Sequence, residues 1–167
     1  MIIRAIALAG GLAVSVGASQ FPEYSQQYMQ RLSGAVDELS GVVAQFDADA
    51  AGLGLSRADA LDELRAGSRM GEARAISMGY VLKRHQRLSR DLAVLKESTV
   101  AGKLLNANHL MDLELAREAW GDFKPAVPLS AAGLAFAGLG FLTGYGVVGG
   151  IVKGVARLRR RRKIATA

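Results

Sequence analysis

Every acidic residue of this 167-residue chain lies between Glu23 and Asp122, and both ends are apolar and acid-free. From Met1 to Pro22 the only charged side chain is Arg4, and from Pro125 to Val152 there is none for 28 residues. Lys153, Arg157, Arg159, Arg160, Arg161, Arg162 and Lys163 then crowd the C-terminus. Uncharged runs of about 18 residues or more match the length needed to cross a bilayer as helix. The pattern predicts an all-α fold in which two transmembrane helices form a hairpin with an intervening extracytoplasmic helical bundle. The expected divisions are a first span at 1–19, a helical domain at 20–128, a second span at 129–153 and a basic tail at 154–167.

Divided this way, the net charge of +6 changes meaning. Residues 20–125 hold 13 Lys/Arg against 15 Asp/Glu, whereas the ends hold eight Lys/Arg and no acid. The soluble part is nearly neutral, so the basic balance does not describe a nucleic-acid-binding face. A mean hydropathy of +0.19 with 20 glycines comes from the two apolar ends. No cysteine occurs, which removes disulfides and thiolate chemistry.

The second span is the stronger signal. Ser130 to Val152 would make about 35 Å of helix, enough for a hydrocarbon core of about 30 Å. Pro125 and Pro128 precede it where a missing N–H costs nothing, and Ser130 is placed to cap it. The first span, Ala5 to Pro22, is short and built of Ala, Gly and Val. A cleaved signal peptide competes here, because Val16-Gly17-Ala18 supplies the small residues a peptidase needs. A single basic residue ahead of the apolar run, in a sequence that starts at Met1, favours an uncleaved helix.

The positive-inside rule puts Arg4 and the C-terminal cations on the cytoplasmic side. Both termini are then cytoplasmic, the central domain is periplasmic, and the setting is a bacterial inner membrane. Arg157, Arg159, Arg160, Arg161, Arg162 and Lys163 would meet anionic lipid, at about 1 kcal/mol per residue near the surface. Glycines carry the packing signal: Gly140 and Gly144, Gly146 and Gly150, and Gly150 and Gly154 are GxxxG pairs. Ala7, Gly11 and Ser15 form a matching small-residue row in the first span. Such rows let backbones approach closely in lipid, where hydrophobicity gives no drive to associate. They serve either the pairing of the chain's own spans or a helix of another membrane protein.

Between the spans, Met29, Leu32, Val36, Leu39, Val43 and Phe46 recur at helical spacing, and so do Met78, Val81, His85, Leu88, Leu92 and Leu95. Helices are expected over 22–50 and 69–97, packed antiparallel, with His85 inside a seam and in need of a hydrogen bond. A short helix begins at Ser56, its N-cap, with Asp59 completing a capping-box-like pattern. A further helix is expected over 100–122.

The chain is poor in chemistry. His85 and His109 are the only histidines, and no metal-binding, phosphate-cradling or nucleophile-elbow motif occurs. No catalytic residue, cofactor site or metal site is expected, and the chain is read as a non-enzyme. Tyr24, Tyr28, Trp120 and Phe123 stand where the chain leaves the membrane and are expected to form an aromatic collar, an interfacial anchor or a docking surface for a partner.

The segments Ser19-Gln20-Phe21-Pro22-Glu23-Tyr24 and Asp122-Phe123-Lys124-Pro125-Ala126-Val127-Pro128 are the distinctive parts of a chain-wide resemblance to a family of proteobacterial membrane proteins, a domain of unknown function. The resemblance implies a bacterial inner-membrane setting and helical character, with no activity or site residues. Three functions remain open. An accessory or scaffold protein of a larger membrane complex, or a homo-oligomer, is favoured by abundant interaction surface. A periplasmic sensor or ligand-binding module and a small oligomeric pore are the alternatives.

Overall fold

The computed structural model describes residues 2–123 and 130–165, except for the side chains of Asp122 and of 158–165. Among these residues the chain is all-α, without a strand. It divides into two compact units: residues 1–25 with 123–167, and residues 26–122.

The first unit is built on α1 (Ile2–Ser19) and α7 (Ala131–Ala165). Both contain stretches long and apolar enough to cross a membrane. They run antiparallel in direct contact: Gly149 faces Ala7, Gly144 faces Gly10 and Val14, and Gly140 faces Val14, Ser15 and Ala18. Ser130 caps α7, its Oγ accepting the Gly133 N–H at 3.0 Å. The segment 124–129, with Pro125 and Pro128, lies outside the described residues. Beyond its apolar run α7 continues as one helix to Ala165. Arg and Lys are good helix formers, so the change from lipid-compatible to basic sequence does not interrupt the backbone.

Only Gln20 separates α1 from α2 (Phe21–Gly52). Ser19 Oγ donates to the Val16 carbonyl at 2.7 Å, and the proline at 22 supplies no N–H, so the ladder tightens for one residue and resumes.

The second unit holds the rest of α2 with α3 (Arg57–Gly67), α4 (Arg69–Glu97), α5 (Val100–Leu105), a 3₁₀ turn (Ala107–Leu110) and α6 (Leu113–Asp122). Both expected seams are present: Leu32 and Val43 of α2 and Leu88, Leu92 and Leu95 of α4 are buried. Ser40 of α2 meets His85 of α4 at 2.9 Å. Ser40 spends its own proton on the Val36 carbonyl at 2.7 Å, so its oxygen must accept, and His85 donates from Nε2. The expected seam histidine thus has its hydrogen bond.

The end of α2 is set by Gly54, whose φ of +74° lies in the left-handed region. Leu55 N–H reaches the Ala50 carbonyl at 2.9 Å and Gly54 N–H the Ala51 carbonyl at 2.9 Å, the paired bonds of a Schellman end. Gly54→Ala should destabilise this corner by about 1 kcal/mol, because a Cβ is strained at positive φ. Chemical denaturation of the central unit by circular dichroism would register it. Beyond the turn Ser56 caps α3 as expected, accepting the Asp59 N–H at 3.2 Å, although Asp59 answers to the Ser56 hydroxyl at 2.6 Å and not to its backbone.

The expected continuous helix over 100–122 is corrected to three pieces. Asp112 is the reason: its Oδ1 accepts the Leu115 N–H at 3.3 Å and its carbonyl the Ala116 N–H at 2.8 Å, which makes it the N-cap of a new helix. Asn106 turns aside to donate to Ser98 Oγ at 3.0 Å. Short polar side chains that bond locally compete with the helix ladder.

Candidate functional site

The glycines expected to pack helices divide into two sets. A Cβ at Gly11 would lie 3.0 Å from the Phe141 ring. One at Gly140 would lie 2.7 Å from Ala18 Cβ and 2.9 Å from the Val14 carbonyl oxygen, and one at Gly144 2.8 Å from Val14 Cβ. These three are the contact between α1 and α7. Gly10, not singled out in the sequence, joins them against Val148. Gly146 and Gly150 meet nothing within 4 Å, and the same holds for Gly138 and Gly154. Among the described residues, then, nothing packs on Gly146 or Gly150. They stand on another side of α7, while Gly149 looks towards Ala7.

The aromatic residues separate as well. Tyr24 and Phe123 meet edge to face, with centroids 6.3 Å apart and planes at 75°. Phe21 stacks on Phe136 at 5.4 Å. Tyr28 is a correction to the expected collar: only 1% exposed, it belongs to the core of the second unit, and its hydroxyl accepts the Asp112 N–H at 3.2 Å. A ring so buried offers no docking surface. Trp120 is 69% exposed on α6. Of the expected lipid-binding cations, Arg157 is exposed, and the side chains of Arg159, Arg160, Arg161, Arg162 and Lys163 lie outside the described residues.

The most developed polar cluster surrounds Asp112, which is 8% exposed. Arg87 donates to its Oδ2 at 2.7 Å and Arg84 at 3.3 Å, while Arg84 also holds Glu114 at 2.8 Å. Burial pushes the Asp112 carboxyl upward. The Leu115 amide, the Arg87 hydrogen bond and the two guanidinium charges outweigh it and hold the group below the usual carboxylate range. Nearby, His109 Nδ1 lies 2.6 Å from Asp91 Oδ1. Both groups belong to one clamp, which ties the α5–α6 segment to α2 and α4. Sequence spacing did not reveal it, because its partners are 18 to 84 residues apart. Among the described residues no group of three or more His, Asp or Glu side chains could hold a metal ion.

One open cavity of about 470 Å³ lies where α2 ends and α3 and α4 meet, lined by Phe46, Ala50, Leu55, Leu64 and Met78, with Asp49, Glu63 and Arg74 also in its wall. Its size falls in the range of small-molecule sites.

Neither a curated protein nor a solved structure matches the chain. A family model does, over residues 2–161, so that this helical chain with two candidate membrane spans belongs to the protein family of unknown function DUF2937.

Proposed function

We propose that this protein is a non-enzymatic accessory or scaffold subunit of the bacterial inner membrane, with α1 and the apolar part of α7 spanning as a hairpin. Both termini are cytoplasmic in this reading, and the unit formed by residues 26–122 is periplasmic. The single observation that carries it is the division of the α7 glycines. One set is consumed by α1, and a second set is left open among the described residues, Gly146 and Gly150 in the apolar part of α7 and Gly154 just past Lys153. Small residues are costly in a spanning helix that packs on nothing, since they forfeit contact with lipid and lower helix propensity. A helix of another subunit, or of a second copy, is what they fit.

The test is crosslinking in native membranes, then affinity purification in mild detergent and mass spectrometry. A discrete set of membrane neighbours, or a homo-oligomer, is expected, and its loss in Gly146→Leu/Gly150→Leu. Recovery of a monomer free of neighbours would overturn the proposal.

The cavity at the α2–α3 corner supports a second reading, a ligand-binding module whose output passes to another protein. A small-molecule screen on the reconstituted full chain would register it as a ligand-dependent rise in Tm. Filling the space with Ala60→Phe should abolish that rise.

A further inference from the structure

The cavity at the end of α2 owes its space to small residues. Ala50 and Ala60 are buried in its wall, and Gly67 and Gly71 line it where α3 gives way to α4. At Gly71 a Cβ would run into the Leu64 carbonyl oxygen, so glycine is what lets the two helices meet this closely. Around these small residues stand Phe46, Leu55, Leu64 and Met78, leaving an open volume of about 470 Å³. Every residue of the wall belongs to the second unit.

Three charged side chains share this wall: Asp49, Glu63 and Arg74. Opposite charges lining one small cavity have every opportunity to neutralise each other, and these do not. Among the described residues neither Glu63 nor Arg74 enters an ion pair or a side-chain hydrogen bond. Asp49 accepts one amide proton, from Gln45 at 2.9 Å on Oδ1, which leaves most of the accepting capacity of its carboxylate unused. The acids that do not line the cavity behave differently. Asp47, two residues before Asp49, is held by Arg57, and Asp62, beside Glu63, is held by Arg65. Charge is thus compensated next to the cavity and left uncompensated, in both signs, within it.

The two halves of this wall ask for different things. Its apolar side chains favour a hydrocarbon body, which leaves water when it binds. Its charges select for complementary charges and fix their orientation. We propose that the cavity takes an apolar zwitterion, the simplest being a short apolar peptide with both ends free. Its ammonium meets Asp49 and Glu63, its carboxylate meets Arg74, and its side chains lie against Phe46, Leu55, Leu64 and Met78. At neutral pH both ends of such a peptide are charged. An amphipathic cation would set its charge against Arg74, an amphipathic anion would meet two carboxylates, and an uncharged ligand would use none of the three. The proposal rests on the ligand-binding reading of this cavity.

The test follows the Tm of the reconstituted full chain with leucyl-leucine, its N-acetyl form and its amide as probes. Leucyl-leucine is expected to raise Tm, with an apparent affinity several-fold above that of either capped form. Asp49→Asn/Glu63→Gln should erase the advantage over the N-acetyl form, and Arg74→Gln the advantage over the amide. All three side chains lie at the cavity's exposed edge, so these variants leave the packed helices untouched. Equal responses to the three probes overturn the zwitterion and leave an apolar ligand site. A preference for the amide or for the N-acetyl form assigns the site to a cation or an anion, and overturns the proposal. So does a response that the variants do not change. Silence towards leucyl-leucine, beside a different ligand that Ala60→Phe excludes, overturns the zwitterion and keeps the site. Silence across the whole small-molecule screen overturns both.

Discussion

Gly140→Leu is expected to separate α1 from α7, whereas Gly146→Leu leaves their pairing intact. At Gly140 even a single Cβ would stand 2.7 Å from Ala18 Cβ and 2.9 Å from the Val14 carbonyl oxygen. Neither atom can be relieved by a rotamer change, since the Ala18 Cβ and the Val14 carbonyl oxygen are both fixed to the backbone and yield only if the helix moves. Overpacking of this kind costs about 1–3 kcal/mol, and each 1.4 kcal/mol is tenfold in an equilibrium. A reporter is available in the structure itself. A Cβ at Gly149 would lie 3.4 Å from Ala7 Cβ, close to the roughly 3.5–4.5 Å separation of bridged cysteines. The pair Ala7→Cys and Gly149→Cys should therefore crosslink within one chain. Adding Gly140→Leu should slow that crosslinking about tenfold or more. Adding Gly146→Leu should not, since nothing lies within 4 Å of its site. Equal crosslinking in both backgrounds would show that the glycine contact does not hold the helices together.

The second large effect belongs to Asp112. Asp112→Ala removes an N-cap and leaves Arg84 and Arg87 facing each other across an emptied site. The cap alone is worth about 1 kcal/mol. The ion pairs are discounted because both arginine side chains are partly exposed, so the total loss is set at roughly 2–3 kcal/mol. Asp112→Asn keeps the cap and removes only the charge, so it should lose less. The pH dependence follows from the sign of the shift. The carboxyl is held below its ordinary range in the folded chain. Its contribution is therefore complete above the unfolded value of about 4 and is lost as pH falls through the lower folded value. Pulse proteolysis of the reconstituted protein across this interval should show wild type losing protection faster than Asp112→Asn. Parallel curves would remove the charge argument.

Much of the helical plan is visible in the residue order, because a stripe such as Leu88, Leu92 and Leu95 can be buried only on one side of a helix. The N-cap at Ser56 and the cap at Ser130 are equally legible, since a cap depends on neighbours three residues away. The break at Asp112 is not. Its bond to the Leu115 N–H is as local as those of the other caps; what no spacing shows is that Arg84 and Arg87, far back in the chain, hold its second carboxylate oxygen and fix the residue there. The same distinction governs the candidate sites. GxxxG spacing identifies residues that permit close approach, yet only the register of α1 against α7 decides that Gly140 is consumed and Gly146 is not. Nearness to the first span points to a surface for Tyr28, whereas its hydroxyl is committed to the backbone amide of the residue that caps α6.

The unbroken course of α7 to Ala165 carries a mechanical implication. From Gly140 to Ala165 the helix runs for about 38 Å, and a tilt of about 5° at the α1 contact displaces its far end by about 3 Å. The helical backbone is continuous over that stretch, so a change of tilt where α7 meets the glycines can be passed along it.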